Sequence, residues 1–542
     1  MLGVATLVLC VYAFVHAWLG VERADDVPIY MRAPSQGYAP AYATHGASAV
    51  TCEVDVCSYV GTYLLEKGGS AADAAIGTSA CVGVMHAYHS GIGGGGIALV
   101  KTAHSAPVMV DYRETAPDAA HRDMFVNVTK REMFHGGLAV AVPGEARGWA
   151  ELHARYGRLP WAELLMPAAT IARRGFFIPP QLKVAIDTLR PWLCEAPRVG
   201  DLYCPGGVPR EAGDFLRLPA LADTLEAVAR HGADVLYEGP IAERLVDTVQ
   251  AHGGVLTLAD LARFRPLVRD AHAIDFRGAF RVWSSAAPSS GAVVLSALRT
   301  LESYNDTYDG TDVLATHRVI EAAKFAYGER TRYGDPAFVA NVSAFEAETL
   351  SRRAGDARRA RVDDWRTHNA SYYNPTYEDA GESHGTSHIN AVDASGMAVG
   401  ITTTINLWFG SLVMTPDGIL LNDDMDDFST PGTSNMFGYK PSPANYIAPH
   451  KRPLSSMSPL LVEALPSGET VLLAGSAGGS RIITANLQMA YSYLSSGGRV
   501  DMQEVIDRPR WHHQLMPAET FFEYALPEIP EMRGYDNVYV HR

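Results

Sequence analysis

Hydroxyl, carboxylate and glycine residues gather in three polar clusters between residues 386 and 479. Thr386-Ser387-His388 is followed by Thr402-Thr403-Thr404-Ile405-Asn406. A carboxylate run, Asn422-Asp423-Asp424-Met425-Asp426-Asp427-Phe428, comes next, and Ser455-Ser456-Met457 then precedes Gly475-Ser476-Ala477-Gly478-Gly479. A threonine or serine hydroxyl attacks a carbonyl once a base takes its proton, carboxylates hold a cation, and a glycine turn can aim backbone N–H groups at an anion. Each cluster alone has an ordinary explanation: threonine is common in strands, carboxylate runs in solvated loops and Ser-Ser pairs in turns. Their order and spacing carry the information.

Two further motifs bear on the chemistry. Ala474-Gly475-Ser476-Ala477-Gly478 misses G-x-S-x-G by one residue, and Asp507 with His512 or His513 follows in the chain order of a serine hydrolase. That reading leaves the Thr386 and Asp424 clusters without a role. Gly91-x-Gly93-x-x-Gly96 matches a dinucleotide fingerprint in spacing, but the fingerprint requires a strand before it and a helix after it. Here a helical pattern precedes, and the strand-like run Ile97 to Val100 follows, so the fingerprint is rejected.

The elements that must position these residues are legible in outline. His388 to Asp393 and Met397 to Ile405 make a hairpin about a Ser395-Gly396 turn, short strands continue to about Ala474, and a helix is expected from Ile482 to Leu494. Upstream, Val56, Val60, Tyr63 and Leu64 share one helical face between Val54 and Lys67, and Gly68-Gly69 stops that helix. Ser70 and Asp73 form a capping-box start for an alanine-rich helix reaching about Met85, and Cys57 and Cys81 could staple the pair. From Gly144 to about Tyr327 the texture is helical, with Leu221/Leu225/Val228 and Ile241/Leu245/Val249 as buried stripes. The arginine-rich stretch from about Ala344 to Gly385 reads as an exposed segment or linker. Helical layers around β-rich segments suggest an α+β sandwich.

With 542 residues, 47% of them hydrophobic, the chain can bury one large core or two closely packed ones. Forty-five basic against sixty acidic residues give a formal charge of −15, which disfavours nucleic acid as a partner. Leu2 to Val21 is almost wholly apolar, and roughly 20 such residues suffice to cross a bilayer. This segment reads as an uncleaved type II membrane anchor. A cleaved signal peptide is the alternative, because Val15-His16-Ala17 resembles a signal-peptidase site and no Lys or Arg precedes the apolar run. Sequons at Asn127, Asn305, Asn341 and Asn369 would then face the extracytoplasmic side. Beyond Cys10, five cysteines remain, at 52, 57, 81, 194 and 204, so two disulfides and one spare thiol are expected. None has metal-ligand spacing, and no metal or cofactor is expected.

In their order the motifs resemble the small subunit of the γ-glutamyltransferase family: TSH at 386–388, TTTINLWFG at 402–410, NDDMDDFS at 422–429, KRPLSSMSP at 451–459 and GSAGG at 475–479. Large-subunit signatures are present as GGSAADAAIG (68–77), HSGIGGGG (89–96), DYRETAP (111–117) and VPGEARGW (142–149). The resemblance covers about Cys52 to Arg542. It implies an N-terminal-nucleophile hydrolase fold, a four-layer αββα sandwich, made as a precursor and cut between Gly385 and Thr386. Residues 1–29 would be the anchor or signal with a short stalk, 30–385 the large subunit and 386–542 the small catalytic subunit.

The same resemblance assigns roles. Thr386 is the nucleophile, with its own freed α-amine as base, since an α-amine pKa near ~7.7–8 suits that task at neutral pH. Thr404 hydrogen-bonds the Thr386 hydroxyl, and the N–H groups of Gly478 and Gly479 form the oxyanion hole. Arg113, Ser455 and Ser456 clamp the substrate α-carboxylate, while Asn406, Asp424 and Asp427 face its α-ammonium. The substrates implied are glutathione and other γ-glutamyl compounds, with water, amino acids or dipeptides as acceptors. The expected disulfides are Cys57–Cys81 and Cys194–Cys204, leaving Cys52 free. Asp424 stands where relatives often carry Glu or Gln, and the chain stops at Arg542 before the family's Ser-Asp-Pro-Arg-like terminal segment, so the C-terminus is expected to be incomplete.

Overall fold

Strict alternation along two long strands sets the architecture. In the computed structural model, which describes residues 42–45, 48–378, 385–432, 438–523 and 538–540, strand β3 (Gly95–Lys101) is buried along its whole length. Its Ala98 and Val100 face one core and its Ile97 and Leu99 face another. Strand β11 (Ala398–Thr404) divides in the same way, with Val399 and Ile401 on the first side and Ala398 on the second. A sheet apolar on both faces must be covered on both faces.

The first face is covered by helices. Asp55–Glu66 and Ala71–Met85 pack on it, joined by the Cys57–Cys81 disulfide. The Ser70/Asp73 capping box forms in full, Ser70 accepting from the Asp73 N–H and Asp73 accepting from the Ser70 N–H. The second face meets another sheet through Leu99, Ala398 and Leu461, with Trp283 and Leu473 beside them.

The larger sheet has seven antiparallel strands in the order β1 (Tyr42–His45), β2 (Ser48–Thr51), β10 (Ser387–Val392), β11, β3, β4 (Val108–Asp111), β7 (Leu267–Asp270). The smaller is β13 (Glu469–Ala474), β12 (Leu460–Ala464), β9 (Phe280–Ser284), β8 (His272–Phe276). Its outer face, with Val282, Leu460 and Val462, is covered by the helices Gly291–Leu301, Val313–Arg330 and Arg481–Ser495. Layers of helix, sheet, sheet and helix result, the expected αββα sandwich. Two small sheets stand apart, β5 (Phe176–Phe177) with β6 (Phe215–Leu216), and β14 (Trp511–His512) with β15 (Thr520–Phe522) and β16 (Val538–Val540).

Two expectations need correction. The stretch from Gly144 to Tyr327 is not one helical layer, because β7, β8 and β9 interrupt it and divide its helices between the two outer faces. Those strands are only four or five residues long, and Arg269, His272, Asp275 and Arg281 interrupt their apolar residues, so their hydrophobic signal is short. Nor is the arginine-rich stretch a plain linker: Val342–Thr349 and Arg352–Arg359 are helices. Arg358 is buried, donating to Glu329 at 2.6 Å, Thr300 at 2.8 Å and the Thr349 carbonyl at 2.9 Å. Arg352 and Arg353 remain exposed.

Cys194 pairs with Cys204, and Cys52 is free and buried. The four sequon asparagines are exposed. The apolar N-terminal segment lies outside the described residues, and among the described residues no helix is long and apolar enough to cross a membrane.

Candidate active site

The hairpin register brings the two central threonines together. Ser387 pairs with Thr403, so Thr386, one residue before the strand, stands across from Thr404 at the end of β11. The pleat sends Ser387 and Thr403 to the helix-covered face, where Ser387 meets His89 at 2.8 Å and Thr403 donates to Glu145 at 2.7 Å. His388 bonds Thr402 at 2.9 Å on the face between the sheets.

The Gly385 carbonyl is the focus of the local hydrogen bonds. Thr404 Oγ1 donates to it at 2.7 Å and itself accepts from the Asn406 N–H at 2.8 Å. The Thr386 hydroxyl also lies against the same carbonyl. Thr404 was expected to bond the Thr386 hydroxyl. Instead it holds the carbonyl, because in the uncut chain the peptide of residues 385–386 lies between the two side chains. A Cβ on residue 385 would fall 2.2 Å from the Asn406 carbonyl oxygen, so only glycine fits there.

A small cavity, open on one side, lies beside this junction. Thr386, Thr404, Gly479, Arg113, Asn406, Asp427, Ser455 and Ser456 all line it. Gly478 and Asp424 do not. Gly478 sits at φ +117° and Gly479 at φ +60°, just before the helix that starts at Arg481. Among the described residues neither N–H has a hydrogen-bond acceptor in the protein.

Arg113 follows β4 and is 1% exposed. Its guanidinium is in close contact with Asp424 and Asp427 and lies 3.4 Å from Glu114. Asp424, expected at the wall of the substrate pocket, is instead fully buried behind Arg113, because the turn Asp424–Asp427 packs it inward with Met425. Burial raises the Asp424 carboxyl to about 7 against the opposing pull of Arg113. Burial likewise raises Asp427 against Arg113, and lifts Asp426 to about 8 with help from Asp427 and Asp424. Asn406 is held at φ +71°, donates to the Asp423 carbonyl at 3.2 Å, and leaves its Oδ1 buried without a partner.

One polar cavity residue was not anticipated. Arg330, at the end of its helix, donates to Ser290 at 3.0 Å and to Ser456 at 3.1 Å, and is 3% exposed. No motif surrounds it in the sequence. Helical periodicity places Arg330 on a helix, and only packing turns it toward Ser456.

The serine-hydrolase alternative lacks its geometry. Ser476 donates to the Ile482 carbonyl at 3.3 Å, whereas His512 bonds Thr484 at 2.8 Å and Gln514 at 2.9 Å. His513 accepts from the Leu515 N–H at 2.9 Å, and Asp507 accepts from Gln503.

An αββα sandwich with a buried threonine opening an inner strand beside a polar cavity defines the N-terminal-nucleophile hydrolase class. The model of the Gamma-glutamyltranspeptidase family matches residues 57–531, and the chain belongs to this family. It is 40% identical over 491 residues to a glutathione hydrolase proenzyme of Arthroderma benhamiae, covering 88% of this chain and 83% of the relative. It is 35% identical over 474 residues to the glutathione hydrolase proenzyme of Escherichia coli, covering 85% and 80%. Among solved structures, cephalosporin acylase from Bacillus halodurans matches with TM-score 0.78 at 25% identity, covering 95% of this chain and 92% of that one. Gamma-glutamyltranspeptidase of Helicobacter pylori matches with TM-score 0.56 at 27% identity, covering 59% and 93%.

Proposed function

We propose that this chain is a self-processing γ-glutamyltransferase that cuts its own Gly385–Thr386 bond and then cleaves the γ-glutamyl amide of glutathione and related compounds. The observation that carries the reading is the shared approach of the Thr386 and Thr404 hydroxyls to the Gly385 carbonyl. The Thr386 hydroxyl attacks the Gly385 carbonyl carbon, and the oxygen that gains charge is held by Thr404. The acyl group passes from nitrogen to oxygen, and water hydrolyses the ester. Residues 30–385 and 386–542 become the large and small subunits, and Thr386 gains a free α-amine.

That amine is the base in the second reaction. It takes the Thr386 proton as the hydroxyl attacks the γ-glutamyl carbonyl, while the N–H groups of Gly478 and Gly479 receive the developing oxyanion. The amine product leaves with that proton, and water or an amino acid releases the glutamyl group. Arg113, Ser455 and Ser456 take the substrate α-carboxylate, and the Arg330–Ser456 contact adds a second guanidinium to that side. The unpaired Asn406 Oδ1 and the Asp427 carboxylate suit an α-ammonium, with Asp424 acting through Arg113.

Four exposed sequons and two disulfides support an extracytoplasmic site, reached through the N-terminal apolar segment as a membrane anchor or a cleaved signal. The test is a denaturing gel with N-terminal sequencing of the smaller band, alongside amine release from a γ-glutamyl anilide. A band beginning at Thr386 and γ-glutamyl cleavage support the proposal. Active protein that remains one chain overturns it.

A further inference from the structure

On the helix-covered face of the larger sheet, away from the cavity, three side chains converge for which γ-glutamyl chemistry has no use. Glu53 lies between β2 and the Asp55–Glu66 helix. His86 caps the C-terminus of the Ala71–Met85 helix, and His89 follows three residues later. Each offers one potential ligand atom, and the three atoms lie within 4.8 Å of one another. We propose that Glu53, His86 and His89 form a binding site for a zinc-class divalent ion, with Ser387 fixing the tautomer in which His89 ligates.

The distances separate this arrangement from a hydrogen-bonded histidine pair. His86 Nδ1 and His89 Nε2 each stand 3.8 Å from the same oxygen, Glu53 Oε1. That is too long for a hydrogen bond. It is close to the ~3.4 Å that separates ligand atoms around a tetrahedral ion with bonds of about 2.1 Å. His86 is 3% exposed, yet its Nδ1 is buried with no hydrogen-bond partner. A buried polar atom left unpaired is costly unless something binds it.

His89 is already oriented as metal-binding histidines are. Its Nδ1 lies 2.8 Å from Ser387 Oγ, which in turn lies 3.0 Å from Ser90 Oγ. When Nδ1–H donates to Ser387, the Nε2 lone pair faces Glu53. The Cys57–Cys81 disulfide ties together the two helices that present the ligands. Glu53 is one-third exposed, which leaves an open side where water completes the coordination. Cysteine spacing, which argues against a metal, says nothing of this histidine pair.

The test is Co²⁺ titration of untagged, chelator-treated full-length protein, followed by Zn²⁺ displacement. One equivalent of Co²⁺ per chain should produce the intense visible bands of tetrahedral coordination, and Zn²⁺ should abolish them. Glu53→Gln, His86→Gln and His89→Gln should each weaken binding by more than about tenfold, and Ser387→Ala by about tenfold, the low end for an outer-shell partner. If the buried histidine variants do not fold, Glu53→Gln decides alone, since its side chain is partly exposed and its shape is kept. Absence of the bands in the wild type, or unchanged affinity in Glu53→Gln, overturns the proposal.

Discussion

Thr404 Oγ1 donates to the Gly385 carbonyl at 2.7 Å, directly across the strand pair from Thr386. In the proposed self-cleavage, one hydroxyl polarises the carbonyl that the other attacks. Removing an oxyanion donor costs about 10²–10³ in rate. Thr404→Val should slow self-cleavage by about that factor and Thr404→Ser should restore most of it, as followed by the appearance of the smaller band with time. Equal rates for Thr404→Val and wild type would remove Thr404 from the processing step.

The proposed nucleophile and the residue before it can be tested as a pair. Thr386→Ala should remain a single chain without γ-glutamyl activity, whereas Thr386→Ser keeps a hydroxyl and should be cut slowly. Gly385→Ala should also block or strongly slow processing, because its Cβ would meet the Asn406 carbonyl at 2.2 Å and displace the scissile peptide. Gel analysis and mass spectrometry of purified protein read all three, and γ-glutamyl activity in Thr386→Ala would sink the mechanism.

Two guanidiniums serve the cavity, and they should differ in their effects. Arg113→Lys loses a planar fork that is held among three carboxylates and should lower kcat/KM for γ-glutamyl substrates by well over threefold, leaving self-cleavage intact. Loss of a buried charge partner typically costs about 2–5 kcal/mol. Arg330→Lys should chiefly raise KM, since Arg330 lines the cavity and holds Ser456 there. A change under threefold for both would refute the carboxylate assignment.

Glu145 links stability to pH. It is fully buried, accepts from Ser79 at 3.0 Å and Thr403 at 2.7 Å, and burial raises its pKa from 4.5 to about 7 despite those donors. A folded-state pKa above the unfolded one means the fold favours the protonated acid. That contribution is complete below about pH 4.5, declines as pH rises toward 7, and is flat above it. Across the window it amounts to about 3 kcal/mol. Glu145→Gln should flatten the fall in Tm between pH 5 and 7 relative to wild type, and an unchanged slope in thermal melts would exclude Glu145 as the source.

Much of this protein is written locally. The Ser70/Asp73 capping box, the Ser395-Gly396 turn, the alternation in β10 and β11 and the helix after Gly479 depend on neighbours a few residues apart, so their chemistry is visible in the chain itself. The motif order likewise identified the family and named eight residues that line one cavity. Tertiary structure decided what depends on distant partners. Strands β7 to β9 were hidden because their apolar runs are too short to outweigh the helices around them, and Arg358 is buried only because Glu329 and Thr300 meet it there. Arg330 enters the cavity, and Asp424 leaves its wall, for a similar reason. Side-chain direction is set by the packing of whole elements, and no spacing along the chain records which way a helix is turned or which carboxylate a buried guanidinium draws inward.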